Sequence, residues 1–258
     1  MKKFFRILVN TLSVLIILAF IVYSIAWFAI AREMQKQVDN IWASQEKLLV
    51  YFQGDKPEVT GFPSLPEIKF SGSLTDRNGL VYQSPEFIYR GFPLPTQRMT
   101  LEASQGISFS GPLLRLPVEL NYFKLAIRLP ANFPGQFDAE TIREWQRVGG
   151  SIPVEELRIV KAGLILEADG YVQLDTNLQP EGTLTAKVTG LDDLLHELTA
   201  NGTIGEKQAL MGQSLLNLMS QKDDQTGVTS VNLGIRIQDG GIFLGPLRVA
   251  SLPGWKWE

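Results

Sequence analysis

Cysteine is absent from the 258 residues and histidine occurs once, as His196. The first absence excludes disulfides, thiolate metal sites and a cysteine nucleophile. The second leaves no companion for a histidine-rich metal site. Basic charge is not in excess either: the net charge is −3, and no basic stripe interleaved with aromatics appears, so nucleic acid is not an expected partner. EF-hand spacing, a phosphate-cradling loop and a dinucleotide fingerprint are also missing, because the glycines fall at apparent hairpin turns rather than between a strand and a helix N-terminus. No cofactor and no metal is expected.

What is present in quantity is hydrophobic length. From Ile7 to Ala31 no Asp, Glu, Lys or Arg occurs, and about 20 apolar residues suffice to cross a bilayer core of ~30 Å. A cleaved signal peptide is the competing reading, since Lys2, Lys3 and Arg6 form a charged start and Ala29-Ile30-Ala31 offers a cleavage pattern. Signal cores run to roughly 7–15 residues, so length favours an uncleaved anchor. The basic N-terminal end is expected in the cytoplasm and the body outside it. Tyr23 and Trp27 suit an aromatic belt at the outer interface, or packing against another helix. The expected organisation is a cytoplasmic tail (1–6), a transmembrane helix (7–31), a membrane-proximal helix and linker (32–56) and an extracytoplasmic β-rich domain (57–258).

Beyond the anchor, Met34, Val38, Ile41 and Trp42 recur at helical spacing, and no Pro or Gly interrupts the chain before Gly54. A helix is expected to continue to Gln53, as a spacer packed on its own domain or as a docking helix. The period then changes to two. Ile68, Phe70, Gly72 and Leu74 alternate with Lys69, Ser71 and Ser73, and Asp76 to Gly79 supplies a turn. Short strands are expected at 80–82, 87–89, 99–103 and 107–109, and a longer one over 118–129. Asp138 is placed to cap a helix carrying Ile142, Trp145 and Val148. A hairpin turning at Asp169-Gly170 follows, then a strand over 183–188, helices over 191–200 and 206–221, and a hairpin turning at Asp239-Gly240. The fold class expected is β-rich α+β: an N-terminal transmembrane helix, then a curved, mostly antiparallel meander with a few packed helices.

Chemistry finds little support. Asp192 and His196 share a helix face at i, i+4, the geometry for orienting a general base, but no strained Ser, Cys or second His completes a triad. A solvated face is the better reading, and the protein is not expected to be an enzyme. Glu155-Glu156 and Asp223-Asp224 have the oxygen ligands Ca²⁺ uses, yet adjacent carboxylates are more often simply solvated. The terminal Trp255 and Trp257 are read as sealing a sheet edge.

Five stretches together resemble a bacterial family, the domain of unknown function 2125: Gly61-Phe62-Pro63, Asp169 to Asp175, Leu178 to Gly182, Val188 to Leu195, and Gln238 to Leu247. The resemblance implies an envelope protein with an N-terminal hydrophobic segment in the bacterial inner membrane, its body in the periplasm. It brings no activity and no catalytic residues. The architecture is also loosely similar to AsmA-like envelope proteins, whose strand-rich bodies are linked to lipid handling. The expected function is binding of a lipid or other apolar ligand in a sheet groove, lined by Phe70, Phe109, Leu125, Leu164, Leu174 and Ile235, for envelope maintenance. The alternative is an envelope scaffold acting through protein contacts at an edge strand or helix.

Overall fold

A computed structural model describes residues 2–43, 50–76, 79–91, 96–111, 117–134, 138–200, 202, 204–222, 229–252 and 254. The uncharged run continues unbroken into the polar segment after it as one helix, α1 (Lys2–Ala43). At 1.5 Å per residue its length is about 60 Å, twice the ~30 Å of a bilayer core. The stretch Leu15–Ala43 is long and apolar enough to cross a membrane.

The helix ends earlier than the expected Gln53. Val50–Gly54 is a strand, β1, paired antiparallel with β3 (Glu67–Asp76), Phe52 opposite Leu74. Val50, Tyr51 and Phe52 are β-branched or aromatic residues that fit a pleated, half-buried surface, and the sheet offers Phe52 such a place. Tertiary pairing overrides a local pattern that lacked a breaker.

The remaining strands are β2 (Glu58–Thr60), β4 (Val81–Arg90), β5 (Arg98–Ser110), β6 (Val118–Arg128), β7 (Ser151–Lys161), β8 (Leu164–Leu174), β9 (Pro180–Thr189), β10 (Ser220–Lys222), β11 (Thr229–Gln238), β12 (Gly241–Leu244) and β13 (Leu247–Ser251). All thirteen described strands join one sheet in the order β1-β3-β4-β5-β6-β7-β8-β9-β11-β12-β13, with β2 on β3 and β10 on β11. Every pairing is antiparallel, and the sheet runs open from β1 to β13. Register shifts interrupt β3–β4, β4–β5, β5–β6, β6–β7, β7–β8 and β12–β13; such bulges bend strands and raise their twist.

Among the described residues there are three further, short helices: α2 (Ala139–Arg147), α3 (Leu191–Ala200) and α4 (Glu206–Met219). Asp138 caps α2 as its sequence position implies, its carboxylate accepting from the backbone N–H of Glu140 and Thr141. The cap draws the Asp138 carboxyl below its ordinary value, through the Thr141 backbone and hydroxyl hydrogen bonds foremost.

The hairpin turn expected at Asp169-Gly170 is not one. Both residues lie inside β8, where two residues of β7, Glu155 and Glu156, bulge between the pairs Val154–Gly170 and Leu157–Ala168. Gly170 is needed there because β8 and β9 approach closely: a Cβ at Gly170 would sit 2.2 Å from the Thr183 carbonyl oxygen, and φ is +154°. The chain instead reverses at Ala162-Gly163, between β7 and β8, and again through Asp175 to Leu178. Asp239-Gly240 does turn the β11–β12 hairpin, with positive φ at both residues. Trp255, Trp257 and Asp223-Asp224 lie outside the described residues.

Alternation is clearest on β9, where Gly182, Leu184, Ala186 and Val188 are buried while Thr183, Thr185 and Lys187 are exposed. The buried set continues across neighbours at the same register: Ala186 pairs with Ala168 and Leu233, and Ala168 pairs with Leu157, which pairs with Leu125 and so with Leu101. One face of the sheet is therefore apolar from β1 to β12 and needs cover.

Candidate ligand-binding site

Cover comes from different elements along the apolar face. Over the C-terminal half, Leu191 and Leu195 of α3, Ile204, and Ala209 of α4 pack on Leu164, Ala168, Leu184, Ala186, Val188, Val231 and Ile235, a closed core. Over the N-terminal half, Phe87, Ala103, Ile107 and Leu120 form a second cluster with Phe70, Leu74, Leu101, Phe109, Val118, Phe123 and Ile159 packed against it. Rings knit this patch: Phe70 stacks on Phe87 at 4.7 Å, Phe52 meets Phe70 edge-on at 5.9 Å, and Tyr82 meets Phe109 at 5.2 Å.

The far part of α1 lies over the β1–β5 end without filling the space beneath it. Between them is a cavity of about 390 Å³, walled on one side by Met34, Gln37, Val38, Ile41 and Trp42 of α1. Phe52 of β1, Ile68, Phe70 and Leu74 of β3, Tyr89 of β4 and Leu101 of β5 wall the other side, with Pro57 and Gly91 at the margins. Gln37, Trp42 and Tyr89 bring the polar side-chain atoms; no charged residue lines it. Burial pushes the Tyr89 hydroxyl up to about 12, so it stays neutral. The volume falls in the range of small-molecule sites, ~300–1,000 Å³, and the lining is apolar as such sites are.

Polar contacts at its margin hold α1 over this opening. Gln35 Nε2 donates to the Pro57 carbonyl at 3.2 Å and to Asp39 Oδ1 at 2.8 Å, while Gln35 Oε1 accepts from the Val59 N–H at 2.9 Å. Lys56 pairs with Asp39 at 3.0 Å. Trp42 lies 6.3 Å from Phe52, centroid to centroid. The helix is thus a fixed wall, packed on its own domain.

Of the residues predicted to line a groove, Phe70 lines the cavity, and Phe109 packs in the same N-terminal patch. Leu164 and Ile235 are buried beneath α3 and α4, with Leu125 packed on that core. Leu174, half-buried near the end of β8, shares the register face of Val172. All six fall on the apolar face, but the cavity gathers one of them. Its other wall, Met34, Val38, Ile41 and Trp42, is signalled in the sequence by helical spacing; Phe52 is not, because its segment reads as helix.

The opposite face is a charge ladder. Arg90 bridges Glu67 and Glu102 at 2.8 and 2.7 Å, Lys124 and Arg98 hold Glu156, and Arg98 and Arg128 hold Glu155. Glu155-Glu156 therefore faces cations, and no cluster suited to a metal occurs among the described residues. Desolvation pushes the Glu102 carboxyl upward, and hydrogen bonds from Arg90 and Tyr122 outweigh it, leaving a net value below the ordinary 4.5. A carboxylate lowered in the folded state contributes stability above its unfolded value and loses it as pH falls through the folded one. In acid titrations of thermal stability, Glu102→Gln should therefore start less stable at neutral pH and lose less between pH 5 and 3 than the parent. Equal acid limbs would refute this.

His196 is exposed on α3, and the Asp192 carboxylate accepts a hydrogen bond from Gln213 Nε2 at 2.8 Å.

A family model described as an uncharacterized protein conserved in bacteria, DUF2125, matches residues 90–253. That match spans more than half of the chain, and the chain belongs to this family. No curated protein and no solved structure matches. The matched stretch holds β5 to β13 and the cavity residues Gly91 and Leu101, whereas α1 and the first strands precede it.

Proposed function

We propose that this DUF2125 member is anchored in the bacterial inner membrane by α1, with its sheet in the periplasm, and that it binds an apolar ligand, a lipid chain, between α1 and the sheet. The observation that carries the reading is the uncharged cavity of about 390 Å³ whose one wall is the direct continuation of an apolar helix. A chain leaving the bilayer would meet a surface already apolar, at a site held open by the Gln35 and Lys56 contacts rather than collapsed. Burying apolar ligand surface supplies roughly 25 cal/mol per Å², and with Gln37, Trp42 and Tyr89 as the polar side chains, none of them charged, the site discriminates little among headgroups. The role is carriage or shielding of lipid for envelope maintenance, without catalysis.

Native mass spectrometry of the full-length protein, released from mild detergent, tests this directly. Stoichiometric lipid should stay bound after the detergent is stripped; a lipid-free protein at every collision energy would overturn the proposal. Because the reading assigns no chemistry to α3, His196→Ala should leave both lipid retention and the melting temperature unchanged. Lipid lost from a variant that still melts like the parent would place part of the binding site on α3.

A further inference from the structure

We propose that the turn between β2 and β3, Gly61-Phe62-Pro63-Ser64-Leu65-Pro66, is a membrane-inserting wedge whose Phe62 and Leu65 side chains enter the lipid leaflet beside α1. The inference rests on α1 being the anchor and concerns where the sheet meets the bilayer. Leu65 is 78 % exposed, the most exposed of the large described apolar residues. A lone exposed leucine is ordinary on a protein surface. This one sits on a turn fastened to the apolar helix, which is not.

Phe62 packs against Phe20, Tyr23, Trp27 and Phe28, with ring centroids at 5.9, 6.5, 5.3 and 5.5 Å. The depth of this cluster follows from helix geometry. Counting ~20 residues from Ile7 for a ~30 Å core ends the span near Ala26, which sets Tyr23 and Trp27 at the outer boundary where amphipathic aromatics collect. Phe20 lies about one turn deeper. A side chain that touches Phe20 is at or below the boundary.

The turn is also chemically prepared for that depth. Irregular backbone is tolerated near hydrocarbon only where its polar groups are satisfied. Trp27 Nε1 donates to the Ser64 carbonyl at 2.6 Å, the Tyr23 hydroxyl donates to the Pro63 carbonyl, and the Ser64 N–H donates to the Gly61 carbonyl at 2.6 Å. Pro63 and Pro66 carry no N–H, and the six residues carry no charge. The wedge pins the β2–β3 end of the sheet, and the cavity above it, at the bilayer surface.

The absence of cysteine makes the test clean. Leu65→Cys, Ile17→Cys and Gln83→Cys variants of the full chain, each labelled with an environment-sensitive NBD fluorophore, are reconstituted in phosphatidylcholine vesicles with or without lipids brominated on the acyl chains. The expected result is a blue-shifted, bromine-quenched signal at Leu65→Cys and Ile17→Cys, with neither at Gln83→Cys. A water-like, unquenched signal at Leu65→Cys beside a quenched Ile17→Cys would overturn the wedge and leave the anchor standing. Unquenched signals at both would overturn both. Lipid retention by the unlabelled chain is read separately, so the cavity proposal stands or falls on its own.

Discussion

Gly170→Ala should cost the sheet about 3 kcal/mol or more, combining left-handed backbone strain with a forced separation of strands. For a body of this size that corresponds to a fall of about 10 °C in melting temperature. The cause is specific. A methyl at this position would lie 2.2 Å from the Thr183 carbonyl oxygen and 2.8 Å from the Leu184 Cα, both backbone atoms that no rotamer change can move. Relief would require β8 and β9 to part where Leu184 and Val154 enter the core beneath α3. Differential scanning fluorimetry of the detergent-solubilised full chain measures this. A matched Gly234→Ala control should change little, since nothing lies within 4 Å of a Cβ there. Equal melting temperatures for Gly170→Ala and the parent would show that the close approach of β8 and β9 is not a constraint.

Leu101→Trp should reduce lipid retention by about tenfold or more, the effect of forcing overlap worth at least ~1.4 kcal/mol on a ligand in a filled site. Leu101 is half-buried, near the start of β5, and one of the cavity's lining residues, so an indole there projects into existing space rather than into packed core. The melting temperature should hold or rise, because the new ring buries apolar surface against Val38 and Phe70. Loss of lipid without loss of stability separates an occupied cavity from a structural gap. A variant that melts normally and still carries its full complement of lipid would place the ligand elsewhere on the chain.

Much of this architecture is legible in the residues, and where it is not the reason is tertiary. The α2 cap is local chemistry, an Asp whose side chain meets the first free N–H groups of its helix, and it reads directly. So does the β11–β12 hairpin, whose alternation runs without interruption into Asp239-Gly240. Asp169-Gly170 carries the same dipeptide signal and means something else, because the glycine answers to the carbonyl of a neighbouring strand and not to a turn. β1 was hidden for a related reason: Val50 to Phe52 follows a helical pattern with no Pro or Gly between them, and only the edge of β3 makes it a strand. The apolar face was readable strand by strand, as the common face of Phe70, Phe109, Leu125, Leu164, Leu174 and Ile235 attests. What alternation does not contain is which part of that face the helices leave uncovered, since it depends on α3 and α4 folding back over β7 to β12 and on α1 standing off from β3 to β5.

The central claim is that the space between α1 and the sheet holds a lipid chain, and site-specific photocrosslinking tests it most directly. A diazirine amino acid replaces Leu101, in the cavity wall, or Lys187, on the exposed polar face, and the full-length protein is irradiated in its native membranes before intact-mass analysis. The account predicts a light-dependent adduct of lipid mass at position 101 and none at 187. No lipid adduct at 101, or equal adducts at both positions, would contradict it.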